Sequence, residues 1–151
     1  MSTYLSQEKL DDLKRELEER TRKTRREIAG IISSAKELGD LSENFEYQDA
    51  KEQQALNEAR ILQIEEMIHT AVLVEQTSGT DIIDLGCTFL AVVNGKEKTF
   101  TLVGSTEADP ISGKISNESP IGQALVGRRV GDTASINVPS GVIEYKIMKI
   151  L

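Results

Sequence analysis

Two long stretches of helical periodicity, separated by only a few residues, constrain this chain more than anything else in it. In the first, apolar residues recur at Leu10, Leu13, Leu17, Ile28, Ile31, Ala35 and Leu38. In the second they recur at Tyr47, Ala50, Ile61, Ile64, Ile68 and Ala71. Spacings of three, four and seven put one apolar seam on each helix, the pattern of two helices packed along their length. A short break between two such helices permits only a tight reversal, so the helices are antiparallel neighbours. Gly39 is placed to supply the left-handed residue that ends the first helix, and Asp40 or Ser42 to cap the second. Roughly 33 residues from Ser6 to Leu38, at about 1.5 Å each, predict a rod about 50 Å long. Its tip carries the carboxylates Asp40, Glu43, Glu46 and Asp49.

The seam is imperfect. Arg20, Thr24 and Glu27 interrupt it on the first helix, and Gln54 and Asn57 on the second. Few apolar contacts then hold the middle of the hairpin. A thin rod of this kind makes no core, and its use is to carry the tip elsewhere.

The period changes near Glu75-Gln76-Thr77-Ser78-Gly79. Beyond it, Gly86 to Val93, Lys98 to Val103, Thr133 to Val138 and Val142 to Ile150 read as strands. Asn94-Gly95 turns the first pair and Pro139-Ser140-Gly141 the last. Ser119-Pro120 starts a short helix through Ile121, Ala124 and Leu125, closed by Gly127. The expected fold class is therefore α+β: a coiled-coil hairpin over residues 1–75 and a small antiparallel sheet with one helix over residues 76–151.

The rest of the 151-residue composition narrows the classes. A net charge of −7 argues against a general nucleic-acid or anionic-membrane binder. No apolar run approaches a membrane span, and Met1-Ser2-Thr3-Tyr4 has no signal-peptide pattern, so a cytoplasmic location is expected. Cys87 is the single cysteine, which excludes an internal disulfide or a thiolate metal cage. It reads as a small strand residue, and His69 as a surface residue near the base of the second helix.

The stretch Gly39-Asp40-Leu41-Ser42-Glu43-Asn44, with Glu46-Tyr47 and Ala50-Lys51-Glu52-Gln53-Gln54, closely resembles the signature of the bacterial Gre transcript-cleavage factors. Gly104-Ser105-Thr106-Glu107-Ala108-Asp109, Ser119-Pro120-Ile121-Gly122, Leu125-Val126-Gly127 and Gly131-Asp132 are similar to that family's C-terminal pattern. The resemblance implies an FKBP-like topology for the second half. It also implies a monomeric elongation factor that binds RNA polymerase and enters the secondary channel with its coiled coil. There it would stimulate the polymerase's own cleavage of backtracked RNA, without being an enzyme itself. Asp40 would help hold a second Mg²⁺ shared with the polymerase, Glu43 would help position the attacking water, and Lys36 and Lys51 would contact the nascent RNA 3′ end. Ser42 and Phe45 depart from the pattern and receive no catalytic role.

Chemistry supports such a division of labour. Phosphodiester hydrolysis is accelerated by two cations roughly 4 Å apart, and carboxylates delivered by a probe can complete the second site. Two exposed carboxylates alone bind Mg²⁺ weakly, so the isolated chain is expected to hold no stable metal. A simpler reading stands beside this one: Asp40-x-x-Glu43 is also a capping-box spacing, favoured by the helix dipole.

Arg20, Arg22, Lys23, Arg25 and Arg26 likewise have two readings. They are a solvated face paired with Glu16, Glu18, Glu19 and Glu27, or a contact for RNA or the channel wall. Tyr47 either stacks near the tip or covers the end of the seam. Two further function classes are an inhibitory relative occupying the same channel, and a prolyl isomerase. The intact Asp-Leu-x-Glu-Asn spacing favours cleavage over inhibition. At 4% aromatic residues and no Trp, the chain is poorly supplied for an isomerase pocket, with Phe89, Phe100 and Tyr145 the candidates.

Overall fold

The computed structural model describes residues 2–40 and 43–151. Two compact units make up the chain: Leu10–Thr70, and Ala71–Leu151 together with the residues up to Lys9. The sequence-based boundary at residue 75 divides the chain differently. The reason is strand β1 (Thr3–Leu5), which pairs in parallel with β2 (Ala71–Leu73) and so joins the N-terminal residues to the sheet-bearing unit.

The hairpin unit is built from α1 (Gln7–Glu19), a π-helical turn (Arg20–Thr24), α2 (Arg25–Lys36) and α3 (Phe45–His69). Leu13, Ile28, Ile32, Ala35, Ala50, Ile61 and Ile64 are its buried apolar residues. Two seam positions differ from expectation: Ile31 and Leu38 are exposed, and Ile32 takes the inward position next to Ile28. Tyr47 packs on the cluster of Ile28, Ile32 and Ala50, so it covers the end of the seam. Ala71, expected to extend the helix, instead opens β2.

The seam interruptions are a cross-helix polar layer. Asn57 is only 4% exposed. Its Oδ1 accepts from Arg20 Nη1 at 3.1 Å, and its Nδ2 donates to the Arg20 carbonyl at 3.3 Å. That carbonyl also accepts from the Arg25 amide, five residues on, as a π turn requires. Thr21 Oγ1 back-bonds to the Leu17 carbonyl at 2.8 Å, which helps open the helical ladder here. Glu16 joins the layer, accepting from Arg20 Nε at 2.8 Å and from Arg60 Nε and Nη2 at 2.9 and 3.0 Å. The hydrogen bonds from Arg60, opposed by burial and helped by Arg20, hold the Glu16 carboxyl at about 2, well below its ordinary 4.5.

The second unit carries a five-stranded sheet in the order β5-β4-β3-β7-β6. Its strands are β3 (Thr88–Val93), β4 (Lys96–Val103), β5 (Lys114–Ser116), β6 (Thr133–Val138) and β7 (Gly141–Ile150), with helix α4 (Pro120–Leu125). All pairings are antiparallel except β4 with β5, which is parallel, so the sheet is mixed at one edge. Asn94 and Gly95 have φ of 54° and 77°, the paired positive values of the tight hairpin turn that twisted strands favour. Ser119 caps α4 by accepting from the Gly122 amide at 3.0 Å. Phe89, Ala91, Leu102, Leu125, Ala134 and Ile147 are fully buried and form the core. Phe100 lies 5.8 Å from Phe89 and 5.7 Å from Tyr145, ring centre to ring centre. Phe89 and Tyr145 belong to the core and the partly buried Phe100 packs against it. Cys87 is buried beside the sheet, and His69 is exposed.

Candidate functional site

Helix α2 ends at Lys36, with Glu37 as its cap residue. Gly39 has the expected positive φ, 127°, but stands two residues past the cap, so it redirects the chain beyond the helix end. Helix α3 begins later than the sequence suggests. Its N-cap is Asn44, whose Oδ1 accepts from the Tyr47 amide at 3.1 Å. The expected cap at Asp40 is therefore corrected, and Ser42 lies outside the described residues. With Phe45 as the first helical residue, Glu43 precedes the cap and cannot occupy the third position of a capping box. The simpler reading of Asp40 and Glu43 loses its geometry.

Both acids are exposed and line one shallow depression with Leu38, Asn44, Phe45 and Glu46. Leu38 and Phe45 are 69% and 83% exposed, giving this depression apolar flanks. Lys36 and Lys51 are also exposed but stand outside its lining, on α2 and α3. Lys51 Nζ donates to Gln54 Oε1 at 3.0 Å on its own helix. Asp49 accepts from Gln53 at 2.8 Å, as a helix-surface charge does. Among the described residues, no three His, Cys, Asp or Glu side chains converge as a metal cage. The carboxylates lining the depression, Asp40, Glu43 and Glu46, are hard oxygen donors of the type Mg²⁺ takes.

The basic cluster is largely partnered. Arg20 belongs to the polar layer, Arg22 pairs with Glu18 at 3.1 Å, and Arg25 grips Glu58 with two bonds of 2.7 and 2.8 Å. Glu58 was not among the partners the sequence suggested, because it comes from the other helix. Asn44 was also missed as a structural residue. Its only signal was the Asn immediately before an amphipathic run, overshadowed by two earlier cap candidates.

In the sheet-bearing unit, an open depression of about 690 Å³ is lined by Tyr4, Val72, Leu73 and Val126, among others. Thr77 Oγ1 and Asn117 Oδ1, two of its lining side chains, are buried atoms without a hydrogen-bond partner. Elsewhere in this unit Glu107 accepts from the Ser6 amide at 2.9 Å and from Ser6 Oγ at 2.6 Å. Ser6 Oγ in turn accepts from the Lys9 amide at 3.1 Å.

Fold and site together define an α+β protein of two units, with an acidic hairpin tip in one and an open depression of mixed polar and apolar lining in the other. Comparison with known proteins makes the class specific. The family described as "Transcription elongation factor, GreA/GreB, C-term" matches residues 78–151, and "Transcription elongation factor, N-terminal" matches residues 3–73. Transcription elongation factor GreA of Halalkalibacterium halodurans is 43% identical over 150 residues, covering 97% of this chain and 95% of the relative. That of Caldanaerobacter subterraneus subsp. tengcongensis is 46% identical over 149 residues, with 97% and 95% covered. The crystal structure of GreA factor homolog 1 of Thermus thermophilus is 30% identical, covers 100% of this chain and 99% of that one, and has a TM-score of 0.46. The chain belongs to the GreA/GreB family of transcription elongation factors.

Proposed function

We propose that this protein binds RNA polymerase, passes its hairpin through the secondary channel and stimulates the polymerase's own cleavage of backtracked RNA. It is not a nuclease by itself; it completes the site of another enzyme. The observation that carries the reading is the tip: Asp40 and Glu43 are exposed, line the same depression, and neither caps α3. A carboxylate pair that does not serve as the helix cap can turn to a partner without unwinding α3.

Asp40 and Glu43 would contribute oxygens to a second Mg²⁺ shared with the polymerase, whose chemistry when bound is to activate water and stabilise the leaving oxygen. Asp40 acts mainly as ligand, and Glu43 orients the attacking water. Lys36 and Lys51 hold the nascent RNA 3′ end as point charges, without the planar fork an arginine would offer. Among the described residues the tip exposes only Leu38 and Phe45 as large apolar side chains, so affinity comes largely from the sheet-bearing unit, where a few desolvated side chains can dominate.

The test is a stalled, backtracked elongation complex supplied with Mg²⁺ and the protein. Wild type shortens the RNA. Asp40→Ala and Glu43→Ala lower the saturated cleavage rate by about two orders of magnitude, the scale for groups acting at a reacting centre, while polymerase binding survives. Wild-type cleavage by either folded variant refutes the assignment.

A further inference from the structure

The carboxamide of Asn44 makes two bonds that lead to opposite sides of the hairpin. Its Nδ2 donates to the carbonyl of Ala35 at 2.6 Å, nine residues back in α2. Its Oδ1 accepts from the Tyr47 amide at 3.1 Å in the first turn of α3. The Asn44 carbonyl then accepts from the Gln48 amide at 3.1 Å, beginning the α3 ladder. Ala35 is 2% exposed, and its carbonyl also accepts from the Leu38 amide at 3.1 Å. One side chain therefore closes the end of one helix onto the start of the next. Asp40 lies between the two tied points, and Glu43 is the residue directly before Asn44.

We propose that Asn44 is a positioning residue that sets the geometry in which the hairpin presents Asp40 and Glu43; the catalytic part of this rests on the function proposed above. Residue chemistry explains why an amide is needed. Ser and Asp are equally good N-caps. Neither can do both jobs: a carboxylate has no proton for the Ala35 carbonyl and sets charge against its oxygen, while a serine hydroxyl is too short to span both partners. A capping role alone would be filled by any of the three. The tie across the hairpin requires Asn.

Asn44→Asp and Asn44→Ser keep the α3 cap and remove the tie, one with added charge and one without. Amide hydrogen exchange on the free, full-length protein reads the tie directly. Exchange at residues 38–40 is expected to accelerate about tenfold in both variants, with residues 57–64 unchanged. In cleavage titrations, the rate at saturating factor is expected to fall at least about fivefold while the half-saturating concentration stays within about twofold. Loss of the folded hairpin would show instead as faster exchange at residues 57–64 as well. Asp40→Asn and Glu43→Gln are run in parallel. If these two cleave like wild type, the delivery of acids is wrong and the catalytic half of the proposal falls with it. Unchanged exchange at residues 38–40 in both Asn44 variants overturns the tie itself. Accelerated exchange with an unchanged saturated rate overturns the positioning role.

Discussion

Glu16→Gln is the sharpest probe of how the hairpin holds together, because it removes one charge from the polar layer and little volume. Glu16 accepts from Arg60 and Arg20, and those bonds lower its carboxyl from 4.5 to about 2. At 1.36 kcal/mol per pH unit that interval corresponds to about 3 kcal/mol. Glu16 and Arg60 remain 31% and 32% exposed, so solvent screening reduces the expected loss to about 1–2 kcal/mol. For a unit of this size the melting midpoint should fall by roughly 4–16 °C. The sign with pH follows from a depressed carboxylate: the contribution is complete above about 4.5 and disappears as pH falls through about 2. Circular dichroism melts of both proteins at pH 7, 4 and 2.5 should show the gap shrinking in that order. A gap of the same size at every pH would mean that the substitution perturbs packing, not charge. No gap at pH 7 would remove the layer from the list of stabilising features.

Three further outcomes are expected. Asn57→Ala leaves Arg20 Nη1 without its side-chain acceptor and the Arg20 carbonyl without its cross-helix donor, costing about 1–3 kcal/mol by urea unfolding. Glu107→Ala removes both bonds to Ser6 and should cost about 1–2 kcal/mol, with faster hydrogen exchange in β1 as the local readout. Val126→Asp, in the lining of the open depression, should weaken polymerase binding at least about tenfold while the saturated cleavage rate is unchanged; undiminished binding would move the affinity into the hairpin.

What could be read from the sequence follows the length over which each signal repeats. The two helices announced themselves through many turns of periodicity, and β6 was found at its observed bounds, because alternation over Thr133–Val138 is unambiguous. β1, β2 and β5 were missed. Each spans three residues, too few for any period, and β1 finds its partner β2 across the whole hairpin. That single non-local pairing also explains why the compact units cut the chain where composition does not.

The tip and the polar layer were misread for a common reason. Asn57 looked like a fault in an apolar seam because its partners, Arg20 and the widened carbonyl of the π turn, come from the other helix. Asn44 looked like a spacer between acids because one of its two bonds also crosses the hairpin. Local rules rank Asp, Ser and Asn as near-equal caps, so position along the chain decided in favour of Asp40 or Ser42. The donor half of the Asn44 carboxamide breaks that tie, since a carboxylate cannot donate to a carbonyl on α2 and a serine hydroxyl is too short to reach it while accepting from α3. With the cap at Asn44, the start of α3 does not depend on either acid. A carboxylate engaged in capping would have to leave its helix before meeting a metal, and that departure would cost about 1 kcal/mol at the moment of use. With Asn44 as the cap, Asp40 and Glu43 carry no such capping cost.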